Sequence, residues 1–355
     1  MKLRKGQLIG LIAVVAVAAI AVGVLSQSKK SSTSAVGVVI NGSGSTAVKN
    51  LLDVCVPDYQ KATGNTVNYA GGGSGAGRAA FTAGTVDFAF SDAAYGNAEA
   101  KPTNFVHVPA VAFPVAIEYK LDGFTGDLKL STAAIAGIFA GKITNWNDPS
   151  ILNGTSPAKP ITVWYRSDKS GTTGIVTNWL TAVAPSIWNK AGSAGNQTFA
   201  SAFPGEIPAG SFQGANGSDG VSNGIASKDG SIGYSEVSYA TERSLEIVSV
   251  QNGAGEFVQP TSDGAAAFLN DLVAGENGAV KVNPLTKTSG AYPISSFSYG
   301  LGYTSGKDTA KQAVVKDFFT YILSTCATNH AVEKGYVPVV GKLASIATSQ
   351  IAAIK

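Results

Sequence analysis

The sequence has little charge and few of the side chains that build metal or catalytic centres. Of its 355 residues, 14% are charged, two are cysteine, two are histidine and one is methionine. A soluble domain usually has about 25% charged residues, whereas 45% of this chain is hydrophobic. This composition excludes intrinsic disorder and a coiled coil, and two distant cysteines exclude a cysteine-cluster metal centre. At roughly 100 to 200 residues per domain, the length predicts two lobes.

The positive charge is confined to the N-terminal segment. The formal net charge is +3, from 26 basic and 23 acidic residues. Residues 1–30 contain five of the basic residues and no acidic one, which leaves 21 basic against 23 acidic residues in the remainder. A nucleic-acid-binding protein needs a basic face to neutralise phosphates. Nucleic acid is therefore not a predicted partner.

Residues 1–34 have the pattern of an export signal or an N-terminal membrane anchor, followed by a linker. A basic run, Met1–Lys5, precedes an apolar run, Leu8–Leu25. Because eighteen apolar residues are at the lower limit for spanning a bilayer, a cleaved signal and an uncleaved anchor both remain open. Either predicts a location in the periplasm or on the outer face of the cell membrane. In that oxidising compartment, Cys55 and Cys326 are either one long-range disulfide or two buried thiols.

The remainder of the chain alternates predicted strands and helices, which is typical of an α/β fold with mostly parallel sheets. Short β-branched runs are followed by turns rich in glycine and serine and then by helical segments. Residues 105–119 predict a long strand interrupted by Pro109 and Pro114, as a chain crossing between lobes would be. Residues 293–303 predict a further strand, and residues 309–333 predict one long C-terminal helix.

Three strand-to-helix turns rich in glycine, serine and threonine are the most informative feature. They are Gly42–Thr46, Gly71–Gly77 and Ser167–Thr173. The first backbone N–H groups of a helix have no partner within it, and the helix dipole places partial positive charge there, so such ends bind anions. Helix capping alone would explain any one turn. Three turns in one chain, with Arg166 beside the third, favour a shared oxyanion site.

Two acidic residues lie beside these donors. We expect Asp168 to orient Arg166, whose planar guanidinium suits bidentate contact with a tetrahedral oxyanion. Asp92 follows a predicted buried strand, and a carboxylate accepts hydrogen bonds but cannot donate them. It would pair with a ligand that still carries a proton and would repel fully ionised sulfate. The plainer alternatives are a helix cap for Asp92 and a surface ion pair for Asp168.

These motifs resemble, in order and spacing, those of the PstS family, the substrate-binding proteins of the high-affinity phosphate ABC importer. The resemblance runs from about Val38 to the C-terminus. The first-lobe motifs are Asn41-Gly-Ser-Gly-Ser-Thr46, Tyr59-Gln-Lys-Ala-Thr-Gly-Asn65, Gly71-Gly-Gly-Ser74 and Ser91-Asp-Ala93. The second-lobe phosphate motif is Arg166-Ser-Asp-Lys-Ser-Gly-Thr172.

The resemblance implies a two-lobed type II periplasmic-binding-protein fold with the ligand in the cleft between the lobes. Each lobe would be a mixed, mostly parallel sheet flanked by helices. Residues 35–118 and 290–355 would form lobe 1, and residues 119–289 would form lobe 2. This division places Cys55 and Cys326 in the same lobe, which makes a bond between them geometrically feasible.

The resemblance also implies a site that holds dehydrated inorganic phosphate. Its predicted phosphate-binding residues are Thr46, the backbone N–H of Ala47, Ser74, Asp92, Arg166, Ser170, Gly171 and Thr172, with Asp168 supporting Arg166. The family usually has phenylalanine at the position of Ala47, so the cleft wall is more open here. Asp219 is expected to support the second lobe. The implied protein is a monomer that delivers phosphate to the transmembrane subunits of an ABC permease, with no cofactor, metal or catalytic residue.

Other functions remain open on the residues alone. The protein is alternatively a binding protein for another oxyanion, or a phosphate sensor or scavenger not coupled to import. A secreted phosphatase is disfavoured because His107 and His330 lack metal-ligand spacing and no serine has a full nucleophile-elbow pattern. A dinucleotide-binding enzyme rests only on the loose pattern of Gly71, Gly73 and Ala76.

Overall fold

The computed structural model describes residues 37–96, 98–151 and 157–355. The predicted export signal or anchor, residues 1–34, lies outside these described residues. Within the described ranges, no helix is both long enough and apolar enough to cross a membrane.

The described residues contain the following regular elements. The strands are β1 (Val39–Gly44), β2 (Thr66–Ala70), β3 (Phe88–Ser91), β4 (Phe105–Lys120), β5 (Lys129–Leu130), β6 (Thr162–Arg166), β7 (Phe212–Ala215), β8 (Ser231–Glu236), β9 (Glu246–Ile247), β10 (Ser249–Gln251), β11 (Phe257–Val258), β12 (Leu272–Ala274), β13 (Val280–Val282) and β14 (Ser295–Tyr303). The helices are α1 (Lys49–Thr63), α2 (Ser74–Thr82), α3 (Thr132–Phe139), α4 (Gly171–Val183), α5 (Phe199–Ala202), α6 (Gly217–Ser227), α7 (Val237–Glu242), α8 (Ser262–Leu269), α9 (Thr309–Tyr321) and α10 (Gly341–Ala352). A short 3-10 helix, Glu276–Gly278, and a π-helical segment, Ile322–Ala331, complete the set.

One long strand joins two halves of the principal sheet. The strand order is β2-β1-β3-β14-β4-β8-β6-β7, and β9 also pairs with β4. Residues 105–114 of β4 pair with β14, and residues 115–120 pair with β8. We call β2, β1, β3, β14 and residues 105–114 the first half-sheet, and residues 115–120 with β8, β6, β7 and β9 the second. The outer strands are parallel, whereas β4 and β14 are antiparallel to each neighbour in this sheet.

The two prolines of β4 do not interrupt the strand. Pro109 lies opposite Tyr299, where the register with β14 shifts between Ser298 and Tyr299. Pro114 is the last residue paired with β14 before β4 changes partner at Val115. Because proline has no N–H to donate, a register shift and a change of partner are positions that accept it. The predicted strand is therefore continuous, with its irregularities at the prolines.

Each half-sheet has its own aromatic cluster in the core. In the first half, Phe88 of β3 packs against Phe318 and Phe319 of α9, with ring centroids 5.6 and 5.9 Å apart. In the second half, Tyr165 of β6 stacks on Phe199 of α5 at 4.6 Å. Aromatic pairs at such distances add to the free energy of burial. Both aromatic groups belong to one hydrophobic core that is continuous across β4.

The segment predicted as a helix over residues 309–333 is helical over residues 309–331, but it changes from α to π after Tyr321. After α9 the chain continues as the π-helical segment, and α10 is a further helix that the sequence did not predict. Within the π segment, the Ser324 and Thr328 hydroxyls donate to carbonyls four residues earlier, and such bonds compete with the backbone ladder. Cys326 in this segment forms a disulfide with Cys55 of α1, and the two Cα atoms are 5.5 Å apart.

Candidate functional site

The predicted site residues come from loops at the carboxyl ends of parallel strands. In the first half-sheet, β1, β2 and β3 lead into residues 44–47, 71–75 and 91–93. In the second, β6 and β7 lead into residues 166–173 and 216–218. We call these five segments together the junction. Ligand sites of α/β sheets form at this end of the strands.

Thr46 and Ser218 connect the two halves at one side of the junction. Their hydroxyl oxygens are 3.0 Å apart, and the Ser218 N–H donates to Thr46 Oγ1 at 3.2 Å. Both side chains are buried. The neighbouring Ala47 is fully buried, and its N–H donates to Ser45 Oγ at 3.0 Å. The backbone donor predicted for phosphate thus has an internal partner in this arrangement.

Asp92 is the centre of a second cluster across the junction. Its Oδ2 accepts hydrogen bonds from Ser74 Oγ at 3.3 Å and from Thr172 Oγ1 at 3.2 Å. Its N–H donates back to Ser74 Oγ at 3.1 Å. A Cβ at Gly171 would lie 2.5 Å from Ser74 Oγ, so only glycine allows this approach of the two halves. Three of the predicted residues are therefore hydrogen-bonded together, with Gly171 packed against them.

One carboxylate oxygen in this cluster lacks a donor. Asp92 Oδ1 is buried and has no hydrogen-bond partner among the described residues. Burial raises the pKa of Asp92 above its ordinary value, and the nearby hydroxyls of Ser45, Ser298 and Thr172 and the charge of Arg166 oppose that rise. An unsatisfied buried acceptor costs free energy. The site therefore favours a ligand that donates a hydrogen bond to Asp92.

Arg166 and Asp168 form the charged part of the junction. The Arg166 Nε and one terminal nitrogen donate to the two Asp168 oxygens at 2.7 and 2.5 Å. The other terminal nitrogen donates to Ser218 Oγ at 3.3 Å. Partial burial alone raises the pKa of Asp168, but the bonds and charge of Arg166 outweigh it, and the pKa is lowered. The predicted orienting role of Asp168 matches this bidentate geometry.

Ser170, Gly171 and Thr172 belong to the start of α4. The turn predicted over Ser167–Thr173 places the helix after Thr173, but α4 begins at Gly171, and Ser170 caps it by accepting from the Thr173 N–H at 3.1 Å. The difference arises because the glycine and threonine residues that suggested a turn form the first helical turn. The N–H groups of Gly171 and Thr172 consequently belong to the helix end that has no internal acceptor.

Ser218 is a junction residue that was not predicted from the sequence. It begins a buried helix turn in α6 and contacts both Thr46 and Arg166. The signal was present, because Asn216-Gly-Ser218 follows β7 as a fourth glycine-serine turn before a helix. Asp219, expected to support the second lobe, instead forms a surface ion pair with Arg243. The serine of this motif, and not its aspartate, thus contacts Thr46 and Arg166.

Two cavities flank the junction. One of about 160 Å³ is lined by Asp92 and Gly171 among other residues. The other, of about 460 Å³, is lined by Thr46 and Gly217 among others. The side chains that meet in the junction therefore lie between two spaces open to solvent.

The histidines lie outside the junction. His107 is buried, and its Nε2 accepts from the Tyr95 N–H at 3.2 Å. Burial lowers the pKa of His107 to about 4. His330 pairs with Asp58 at 2.9 Å. Among the described residues, no group of three metal-ligating side chains is arranged to hold a metal ion.

Known proteins of one family resemble this chain over most of its length. A family model of the PBP superfamily domain matches residues 27–325. The phosphate-binding protein PstS of Haemophilus influenzae is 35% identical over 301 residues, covering 82% of this chain and 86% of the relative. PstS of Xylella fastidiosa, strain Temecula1, is 31% identical over 321 residues, covering 88% of this chain and 85% of the relative.

A solved structure shares the fold. It is a high affinity periplasmic phosphate-binding protein, PfluDING, bound with phosphate. The TM-score is 0.67 at 27% identity, and the match covers 89% of this chain and 92% of that one. The type II periplasmic-binding-protein fold predicted from the sequence is confirmed.

Proposed function

We propose that this chain, which belongs to the PstS family of phosphate-binding proteins within the PBP superfamily, binds inorganic phosphate in the junction. The relatives are named as binding proteins. The proposed activity is accordingly high-affinity binding without the making or breaking of a bond, followed by delivery to an ABC permease outside the cytoplasmic membrane.

The proposal rests on one observation: the junction contains both a fixed positive charge and a buried carboxylate oxygen that has no donor among the described residues. Arg166, buried and held by Asp168, supplies a fixed positive charge. Asp92 Oδ1, buried and without a donor among the described residues, requires a hydrogen. HPO4²⁻ and H2PO4⁻ satisfy both, because they carry negative charge and still have a proton to donate. Sulfate carries charge but no proton at neutral pH, so it leaves the Asp92 oxygen unpaired.

The remaining ligands are the hydroxyl and amide donors at the starts of α1, α2, α4 and α6. From the first half-sheet we assign Thr46 and Ser74, together with the Ala47 N–H once Ser45 releases it. From the second half-sheet we assign Ser170, the N–H groups of Gly171 and Thr172, and the Thr172 hydroxyl. Ser218 joins this set because it bonds to both Thr46 and Arg166. Neutral donors at helix starts bind an oxyanion without adding charge.

We propose lobe boundaries that place the ligand between two moving parts. Residues 35–118 and 290–355 form one lobe and residues 119–289 the other. The support is the change of partner within β4 between Pro114 and Val115. Hinge closure of this kind is a common response of binding proteins to ligand, and the closed form is the one that docks on the permease.

Calorimetric titration of the purified protein with phosphate, repeated in excess sulfate, tests the proposed function. We expect one site per chain with micromolar or tighter affinity and no competition by sulfate. Equal affinity for both anions would favour a general oxyanion-binding protein. No heat with phosphate, together with turnover of a phosphate ester, would favour the phosphatase alternative.

A further inference from the structure

Arg78 is a buried charged residue that the phosphate site does not use. It lies on α2, directly after the second glycine-rich turn, and its side chain is fully buried. Within its own half it donates from Nε to Glu99 at 3.0 Å and from one terminal nitrogen to Ser91 Oγ at 2.7 Å. A buried guanidinium is costly unless its donors are satisfied. These two bonds leave the second terminal nitrogen in need of an acceptor.

That acceptor comes from the opposite half. The second terminal nitrogen of Arg78 donates to Gln197 Oε1 at 2.9 Å, across 119 positions of sequence. The backbone carbonyl of Gln197 accepts from the Ser170 N–H at 2.9 Å. Gln197 is therefore bonded to the start of α4, and Arg78 is bonded to Ser91, the residue before Asp92. The contact crosses the junction beside the site but has no atom assigned to the ligand.

Other contacts cross at the same place but are weaker candidates. Lys169 reaches Glu99 at 3.4 Å, but this pair is partly exposed, and exposed ion pairs contribute little. The Gly75 N–H donates to the Lys169 carbonyl at 2.9 Å, and no side-chain substitution removes that bond. The Arg78–Gln197 bond is both buried at the guanidinium and charge-assisted, a class of hydrogen bond stronger than neutral pairs.

We propose that Arg78 and Gln197 form a latch that is made only when the two halves are closed, and that this latch slows the release of the bound anion. The inference rests on the proposed function. When the halves separate, water replaces Gln197 at the guanidinium. When they close, a missing acceptor would leave a buried donor of a charged group unpaired. Because apparent affinity depends on the population of the closed state, the latch raises affinity without touching phosphate. Gln197 is thus a positioning residue for closure.

The test is Gln197→Ala in the full chain, with phosphate release followed by stopped-flow tryptophan fluorescence. Loss of a charge-assisted hydrogen bond of this class changes a rate or equilibrium constant by about tenfold or more. We expect dissociation of phosphate to become at least roughly tenfold faster, with the association rate little changed. The melting midpoint of the phosphate-free protein should not change, because the open form has no latch. Gln197→Glu supplies an anionic acceptor to Arg78 and should restore slow release.

Gln213→Ala is the matched control. Gln213 also lies in the second half, but its amide donates to the Gly210 carbonyl of its own turn at 3.2 Å, so release should match that of the unaltered protein. If the unaltered protein binds phosphate and Gln197→Ala releases it at the same rate, the latch is refuted while the proposed function stands. A lower melting midpoint without phosphate would also overturn the latch, since it would show a contact present before closure. If the unaltered protein fails to bind phosphate, both proposals fail.

Discussion

The first half-sheet presents hydroxyl groups and a carboxylate with one unpaired oxygen to the junction, whereas the second presents a guanidinium that already has its own counterion. Asp92 accepts two hydroxyl hydrogen bonds on one oxygen, and the other oxygen accepts none from the part of the chain that the structure describes. Arg166 instead directs two of its nitrogens to Asp168. The first half therefore presents a hydrogen-bond acceptor that a ligand can satisfy, whereas the second half holds its guanidinium in a fixed orientation.

The second half therefore supplies affinity for anions, and the first half supplies selectivity for phosphate over sulfate. A guanidinium fixed by its partner attracts any small oxyanion, and its charge does not distinguish phosphate from sulfate. The unpaired carboxylate oxygen distinguishes them, because it repels an anion without a proton. Affinity and specificity should consequently respond to substitutions in different halves, and the following variants test that division.

The largest effect is expected for Arg166→Ala. Removal of one member of a buried charged pair costs about 2–5 kcal/mol, so phosphate affinity should fall by at least about thirtyfold in a calorimetric titration. Asp168 would also lose its counterion. Arg166→Lys keeps the charge but not the planar fork, and we expect an intermediate loss. Unchanged affinity in the alanine variant would show that the second half does not supply the charge.

A smaller effect on affinity, but a change of specificity, is expected for Asp92→Asn. The amide can donate to an anion oxygen, so sulfate is no longer penalised. An unpaired buried group costs about 1–3 kcal/mol, and the ratio of phosphate to sulfate affinity should fall by about tenfold or more. Competition titrations with both anions measure this ratio.

Asp271→Asn is a suitable control for that experiment. Asp271 is exposed and accepts a hydrogen bond from the Asn283 side chain at the open end of the β12–β13 hairpin. The ratio should be unchanged in this variant. If Asp92→Asn keeps its full selectivity for phosphate over sulfate, Asp92 does not select the ligand by its proton.

The smallest expected effect is a change in thermal stability with pH, and it arises from a residue of the second half. Glu236, at the end of β8, is fully buried, and burial raises its pKa from 4.5 to about 8. The folded protein therefore holds a proton that the unfolded chain releases above its lower pKa. Stability from this group is present at low pH and falls as pH rises through that interval. We expect the melting midpoint to fall by several degrees, about 2–4 °C per kcal/mol lost, between pH 5 and pH 9.

Glu236→Gln should reduce that fall, because the amide does not titrate. Thermal melts followed by circular dichroism at pH 5, 7 and 9 measure the slope. Glu206 is exposed, and Glu206→Gln should leave the slope as it is. If Glu236→Gln melts with the same pH dependence as the unaltered protein, the buried carboxyl is not the source of it.

The sequence predicted the local units of the site well, because turn chemistry is local. Glycine, serine and threonine after a strand predicted the turns that present Thr46, Ser74 and Ser170. The same reasoning placed the start of α4 three residues late, since glycine and threonine suit both a turn and a first helical turn. It also left Ser218 out of the site, although the composition of Asn216-Gly-Ser218 matches the other three turns.

Long-range geometry could not be predicted from periodicity. Thr46 and Ser218 are 172 positions apart, yet their hydroxyls are in contact. The engagement of the Ala47 N–H by Ser45 depends on one rotamer, which no hydrophobic pattern specifies. Likewise, α10 lies beyond the helix predicted over residues 309–333 and was not predicted from the sequence. Strand and helix types are properties of segments, whereas these contacts are properties of the assembled fold.

The disulfide between Cys55 and Cys326 encloses 271 positions of sequence within a single covalent ring. Every strand of the second half-sheet, and both crossings of the chain through β4 and the segment before β14, lie inside that ring. A single protease cut anywhere within it would leave the two pieces attached, and they would separate on a gel only after reduction. The anion-binding loops would thus remain tethered to each other even in a nicked molecule.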